Sequence, residues 1–210
     1  MTELDSRLKG VYVITDPDLM TDDLLQKTET SIRAGASIVQ YRNKQASAEQ
    51  QLAEASTLRE LCQQHNTLFI VNDDPRLAYE INADGVHLGQ ADENLQAARQ
   101  LLGHNKIIGV SCNNRFEYAQ HAVEQGADYI AFGRFFPSMT KPDAPQATTD
   151  LLTKARDTWS LPVVAIGGIT PENGRQLINS GATMLAVIHG IFAQQDVHAA
   201  TLSYVRLFSS

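Results

Sequence analysis

Two cysteines, Cys62 and Cys112, are all that this 210-residue chain contains, and they form no CxxC pair. That argues against a disulfide framework or a cysteine-built structural zinc site, and a reduced cytoplasmic setting is the simplest account. A basic excess is missing too. The net charge of -7 argues against nucleic acid as the main partner, because phosphate-backbone binders carry surplus cations. No apolar run approaches a membrane span, and Met1 to Lys9 is polar, without the apolar centre of a signal peptide. No membrane partner is therefore expected. Also absent are an HxH or HExxH ligand set, a GxSxG elbow and a P-loop. What is there is an acidic chain with 43% apolar residues, of a length that suits one domain over residues 1–210.

Short apolar bursts recur about every 20 to 30 residues, at 11–15, 38–41, 68–71, 85–88, 107–111, 129–132, 163–166 and 184–188. Amphipathic stretches separate them, the signature of βα units. Residues 48–65 read as a helix, with Leu52, Ala55, Leu58 and Leu61 or Cys62 on one stripe. A weak repeat supports this reading: Ala34-Gly35-Ala36-Ser37, Gln125-Gly126-Ala127-Asp128 and Ser180-Gly181-Ala182-Thr183 each precede a strand. Each glycine suits the left-handed helix C-cap, and Asn82-Ala83-Asp84-Gly85 is a looser version. Eight strands alternating with helices predict an α/β fold, a single (β/α)8 TIM barrel. A doubly wound open sheet is the runner-up, but Asp16-Pro17-Asp18 stands where its GxGxxG should follow the first strand.

Active sites of such barrels lie at the C-terminal strand ends. Those ends carry Gln40, Arg42 and Lys44, then Asn72 and Asp73, then Gln90 and Asp92. Ser111, the segment 138–141, Gly167-Gly168 and Ile188-His189 complete the rim. Strand alternation predicts that Gln40, Arg42 and Lys44 project to one side. Cations beside carboxylates are what a magnesium-bound polyphosphate wants: the cations take phosphate oxygens and the carboxylates hold the metal. Asp74 before Pro75 reads as a helix N-cap; Asp73 could share that turn, and Asp92 could simply open the next helix. Gly167 to Glu172 is either a phosphate-holding turn or an ordinary βα connection. His87, inside a strand, reads as a satisfied structural histidine, and Cys112 has no base near it in sequence. The long connection 133–149 reads as a lid or an insert.

These residues, in this order, resemble the thiamine phosphate synthase family over essentially the whole chain. The resemblance rests on Gln40-Tyr41-Arg42-Asn43-Lys44, Asn72-Asp73-Asp74, Gly85 to Asp92, Gly109-Val110-Ser111, Phe132 to Lys141 and Ala165 to Ile169. It implies a transferase of thiamine biosynthesis that joins a pyrimidine methyl diphosphate to a thiazole phosphate, releasing diphosphate. On that pattern Gln40, Tyr41, Arg42, Asn43, Lys44, Asn72, Ser111 and Lys141 bind the pyrimidine diphosphate. Ser138, Met139, Thr140, Gly168, Ile188 and His189 bind the thiazole phosphate, and Asp73 and Asp92 hold Mg2+. Arg42, Lys44 and Lys141 carry the catalytic charge. The resemblance also implies that the carbon–oxygen bond ionises first and that the thiazole nitrogen then attacks with its lone pair. The chain departs from the pattern at Ser138, often threonine there, and at His189, where many members have serine.

Two other functions stay on the same fold. A thiazole tautomerase would carry histidine after the strand-six glycine, where this chain has Arg134. A non-catalytic phosphate-binding regulator would be expected to lose Asp73, Asp92 or Lys141, and all three are present. The sequence leaves the oligomeric state open, a homodimer included.

Overall fold

Eight parallel strands close on themselves in chain order: β1 (Gly10–Ile14), β2 (Ala36–Tyr41), β3 (Leu68–Asn72), β4 (Gly85–Leu88), β5 (Ile107–Ser111), β6 (Tyr129–Gly133), β7 (Val163–Ile166) and β8 (Met184–Val187). Closure comes from β8 pairing back onto β1, with Gly10 opposite Met184 and Val13 opposite Val187. The computed structural model describes residues 5–20, 23–90, 94–137 and 145–209. Around the barrel run α1 (Leu24–Arg33), α2 (Ala48–Gln64), α3 (Pro75–Glu80), α4 (Leu95–Leu102), α5 (Phe116–Glu124), α6 (Thr149–Thr158) and α7 (Pro171–Asn179). After β8 come a short α8 (His189–Phe192) and α9 (Val197–Val205). The (β/α)8 barrel predicted from the apolar spacing is the fold. Among the described residues, no helix is long and apolar enough to cross a membrane.

Two cores follow from strand alternation. Val11, Val13, Val39, Phe69 and Val71 point outward into the layer under the helices, which also takes Ala55, Leu58, Leu61 and Cys62 of α2. Tyr12, Ile14, Ile38, Leu68, Ile70, Tyr129 and Met184 point inward and fill the barrel.

The repeated tetrapeptides have a clear task. Gly35, Gly126 and Gly181 each lie just past a helix C-cap, with φ of 106°, 90° and 121°. At Gly126 an added Cβ would meet nothing within 4 Å, so the backbone angle alone calls for glycine. Asn82 takes the same place after α3 with φ 53°. Two residues on, a polar side chain reaches back to the preceding strand. Asp84 Oδ2 accepts from Phe69 N at 2.9 Å, Asp128 Oδ2 from Ile108 N at 2.7 Å and Thr183 Oγ1 from Val163 N at 2.9 Å. The N–H groups of Asp84, Asp128 and Thr183 return bonds to the carbonyls of those same partners. Ser37, in the first copy, instead faces Gly10, where a Cβ would come within 2.6 Å of its Oγ.

Candidate active site

A cavity of about 430 Å³ opens at the C-terminal strand ends. Its apolar lining includes Ile14, Ala131, Val164, Ile166 and Ala186. Among the described residues that line it are two arginines, Arg42 and Arg134, two histidines, His87 and His189, and no carboxylate. Such a site favours anions.

One wall comes from β2, β3 and β5. Gln40, buried near the end of β2, and Arg42, two residues on, both line the cavity, as alternation predicts. Thr15, next after β1, clamps the Arg42 backbone from both sides. Its Oγ accepts from Arg42 N at 2.8 Å and donates to Arg42 O at 3.2 Å. Asn72 and Ser111, the last residues of β3 and β5, complete this wall.

Tyr41 and Asn43 face the other way. The Tyr41 hydroxyl and Asn43 Nδ2 donate to Glu54 Oε2 of α2 at 2.7 and 3.0 Å. Burial, then the Glu54 carboxylate, push the Tyr41 phenol well above its usual value. Asn43 Oδ1 accepts from the backbone N–H groups of Gln45 and Ala46, and Gln51 donates to Asn43 O. The stretch that carries Arg42 and Lys44 is thus tied to α2 through side chains outside the cavity.

Lys44 reaches the rim by a different route from the one alternation suggests. β2 ends at Tyr41, so strand period no longer applies at Lys44, which is instead drawn to Asp73, Nζ to Oδ2 at 2.6 Å. Asp73 follows β3 directly, has φ 63°, and donates its N–H to His87 O at 2.8 Å. Asp74 is the α3 N-cap, accepting from Arg76 N and Leu77 N at 2.9 and 3.0 Å, with Pro75 first in the helix. Asp74 is thus the helix cap that the sequence indicates, and Asp73 pairs with Lys44.

The opposite wall comes from β7 and β8. Gly168 has φ 64°, and a Cβ there would come within 2.2 Å of Pro137 O. Both angle and space demand glycine, which leaves backbone facing the cavity. Ile188 and His189 line the same wall, Ile188 capping α8 and His189 beginning it. Asp92, Ser138, Met139, Thr140 and Lys141 lie outside the described residues, as does most of the expected lid.

The structure adds residues to which the sequence reading gave no site role: Tyr12 and Tyr129 within the barrel, Thr15 and Glu54 behind the rim, and Arg134 on the cavity. His87 is satisfied at both ring nitrogens, as expected of a structural histidine. One of its partners, however, is Ser111 Oγ at 2.9 Å, and the other is the Tyr129 hydroxyl at 2.9 Å. Tyr12 and Tyr129 are inward residues of otherwise apolar strands, and a buried phenol needs a partner, which is the signal that marks them. Cys112 faces the outer core, and burial pushes its thiol up to about 12, consistent with no nucleophilic role.

Residues 11–191 match the model of the family described as thiamine monophosphate synthase. A thiamine-phosphate synthase of Alcanivorax borkumensis is 53% identical over 194 residues, covering 92% of this chain and 89% of that protein. One of Thioalkalivibrio sulfidiphilus is 47% identical over 210 residues, covering 99% of each. Among solved structures, a thiamine phosphate pyrophosphorylase from Pyrococcus furiosus superposes with a TM-score of 0.88 at 33% identity. That match covers 98% of this chain and 97% of the other.

Proposed function

The chain belongs to the thiamine monophosphate synthase family, and from that premise we propose how the two walls of its cavity share one reaction. It is an enzyme of thiamine biosynthesis whose condensation gives thiamine phosphate. In the proposed division, Gln40, Arg42, Lys44, Asn72 and Ser111 hold a pyrimidine methyl diphosphate, with Tyr41 and Asn43 fixing the stretch between them and Lys141 joining from the sequence pattern. Gly168, Ile188 and His189, with Ser138, Met139 and Thr140, hold a thiazole phosphate. The observation that carries this reading is that both walls border one cavity with no carboxylate among its described lining residues, so two phosphorylated molecules can meet inside it.

Magnesium is the expected cation. Asp73 offers hard carboxylate oxygens at the rim, and among the described residues no group of three His, Cys, Asp or Glu is placed to hold a metal. That donor set fits an ion that takes one or two protein carboxylates and draws its other ligands from phosphate and water. Asp73 would hold it, with Asp92 from the sequence pattern. When bound, magnesium supplies Lewis-acid stabilisation of charge on the leaving diphosphate.

The chain's own residues do the rest. Arg42, its backbone clamped by Thr15, presents a guanidinium to phosphate oxygens, and Lys44, exposed at the rim, is paired there with Asp73. Both meet charge that grows as the carbon–oxygen bond breaks, where fixed cations contribute most. The attacking thiazole nitrogen uses a free lone pair and needs no base. The apolar lining of Ile14, Val164 and Ile166 keeps water from capturing the pyrimidine methyl cation.

The test is direct. Purified protein with both substrates and magnesium should form thiamine phosphate and diphosphate in equal amounts, read by mass and by a diphosphate assay. No product would defeat the activity; undiminished turnover in excess chelator would defeat the metal assignment.

A further inference from the structure

A continuous line of hydrogen bonds crosses the barrel along the floor of the cavity, from Gln40 to Ser111, and of its five residues Gln40, Tyr12, His87 and Ser111 also line the cavity. Gln40 Nε2 donates to the Tyr12 hydroxyl at 2.7 Å, and that hydroxyl lies 2.9 Å from the hydroxyl of Tyr129. Tyr129 is 2.9 Å from His87 Nδ1, and His87 Nε2 is 2.9 Å from Ser111 Oγ. Tyr12 and Tyr129 are fully buried, and burial raises both phenols far above their usual value, so both keep their hydrogens.

Each hydroxyl in this line has one hydrogen, and so does each imidazole in its neutral form. A direction set at one end therefore passes to the other. With Gln40 donating inward, Tyr12 donates to Tyr129, Tyr129 to Nδ1, and Nε2–H to Ser111. Ser111 is left to donate into the cavity, while Gln40 keeps its carbonyl oxygen as an acceptor. Turning the Gln40 amide over reverses every bond, leaving Gln40 a donor and Ser111 an acceptor.

We propose that Tyr12, Tyr129 and His87 are positioning residues that couple the hydrogen-bonding character of Gln40 to that of Ser111. The cavity then selects a ligand that offers a donor at Gln40 and an acceptor at Ser111. This rests on the reading above, with the pyrimidine methyl diphosphate taken to bear a ring amino group: it then carries both, amino hydrogens at one end and phosphate oxygens at the other. Whichever group binds first sets the line for the second.

The experiment splits the ligand. Calorimetry measures binding of inorganic diphosphate with magnesium, alone and with a saturating aminopyrimidine that has no phosphate, and then the reverse. In the wild-type protein each fragment should tighten the other about fivefold, equally in both orders. Tyr129→Phe keeps the ring that stacks on His87 and meets Tyr12 edge-on, but cuts the line. There the factor should fall to about one, while each fragment alone binds within about threefold of wild type. If melting shows that this variant does not fold, Tyr12→Phe cuts the adjacent link; because Tyr12 lines the cavity and is the partner of Gln40, only the factor between the fragments is read there, and it should again fall to about one. An unchanged factor in the variant, or none in the wild type while both fragments bind and turnover persists, overturns the coupling and leaves the functional reading standing. Failure of both fragments to bind the wild type, with no turnover, overturns that reading and the coupling with it.

Discussion

Asp73 and Asp74 sit side by side with separate tasks, and substitutions can tell them apart. At φ 63° an asparagine is well tolerated, whereas alanine would add backbone strain to the loss of a carboxylate. Asp73→Asn is therefore the clean variant. It should lower magnesium-dependent turnover about a hundredfold or more and leave the melting temperature close to wild type. Asp74→Ala removes the acceptor for two α3 N–H groups and should cost about 1 kcal/mol of stability with turnover per folded molecule retained. Urea titration beside steady-state kinetics separates the two. The reverse pattern would mean that cap and ligand are exchanged.

The elements are held by side chains at both ends of the barrel. At the N-terminal end, Asp128 accepts from Ile108 N and pairs with Arg99 of α4, whose guanidinium also donates to the carbonyls of Lys106 and Gly103. Asp128→Ala strands a backbone N–H and removes the countercharge of an Arg99 guanidinium that keeps its carbonyl acceptors, so it should cost about 1 to 3 kcal/mol in urea unfolding. Turnover per folded molecule should not change, because this end of the barrel bears on stability. At the C-terminal end, Glu54 holds Tyr41 and Asn43 against α2. Glu54→Ala should raise the KM for the pyrimidine diphosphate about tenfold by releasing the stretch that carries Arg42 and Lys44. Glu54→Gln, still an acceptor, should lose much less. Equal KM values in the alanine variant and the wild type would remove α2 from the account of the site.

For the whole molecule, burial of weak acids makes alkaline pH the vulnerable side. Burial pushes Cys62 and Cys112 up to about 12 from 9.0 and Tyr204 up to about 12 from 10.0, and it raises Tyr12, Tyr41 and Tyr129 as well. The unfolded chain releases these protons at lower pH than the folded one. Their stabilising effect is complete below about 9 and is lost as pH rises through about 12. At pH 10.5 each thiol should cost about 2 kcal/mol relative to pH 8, seen as a lower urea midpoint. Cys62→Ala should flatten that fall. A midpoint independent of pH between 8 and 10.5 would mean that these groups are not held in dry surroundings.

The barrel itself was legible along the chain. Apolar bursts at regular spacing can bury their side chains only as strands, and Gly35, Gly126 and Gly181 mark helix ends because backbone sterics act locally. Alternation placed Gln40 and Arg42 on the cavity, and the Asp74-Pro75 pair announced a cap, for the same local reason. Local rules fade past the end of a strand: Arg42, one residue beyond β2, still follows the alternation. Lys44 lies beyond β2, and the attraction of Asp73, 29 residues on, brings it to the rim. Tyr41 and Asn43 share a motif with Arg42, yet they turn to Glu54 on a helix whose approach depends on packing. The line from Gln40 to Ser111 runs through β1, β6 and β4, which only closure of the sheet brings within hydrogen-bond reach. Periodicity and turn chemistry act over a few residues and can be read in order. Contacts across the barrel depend on how the sheet curves shut, and that was decided by the tertiary structure.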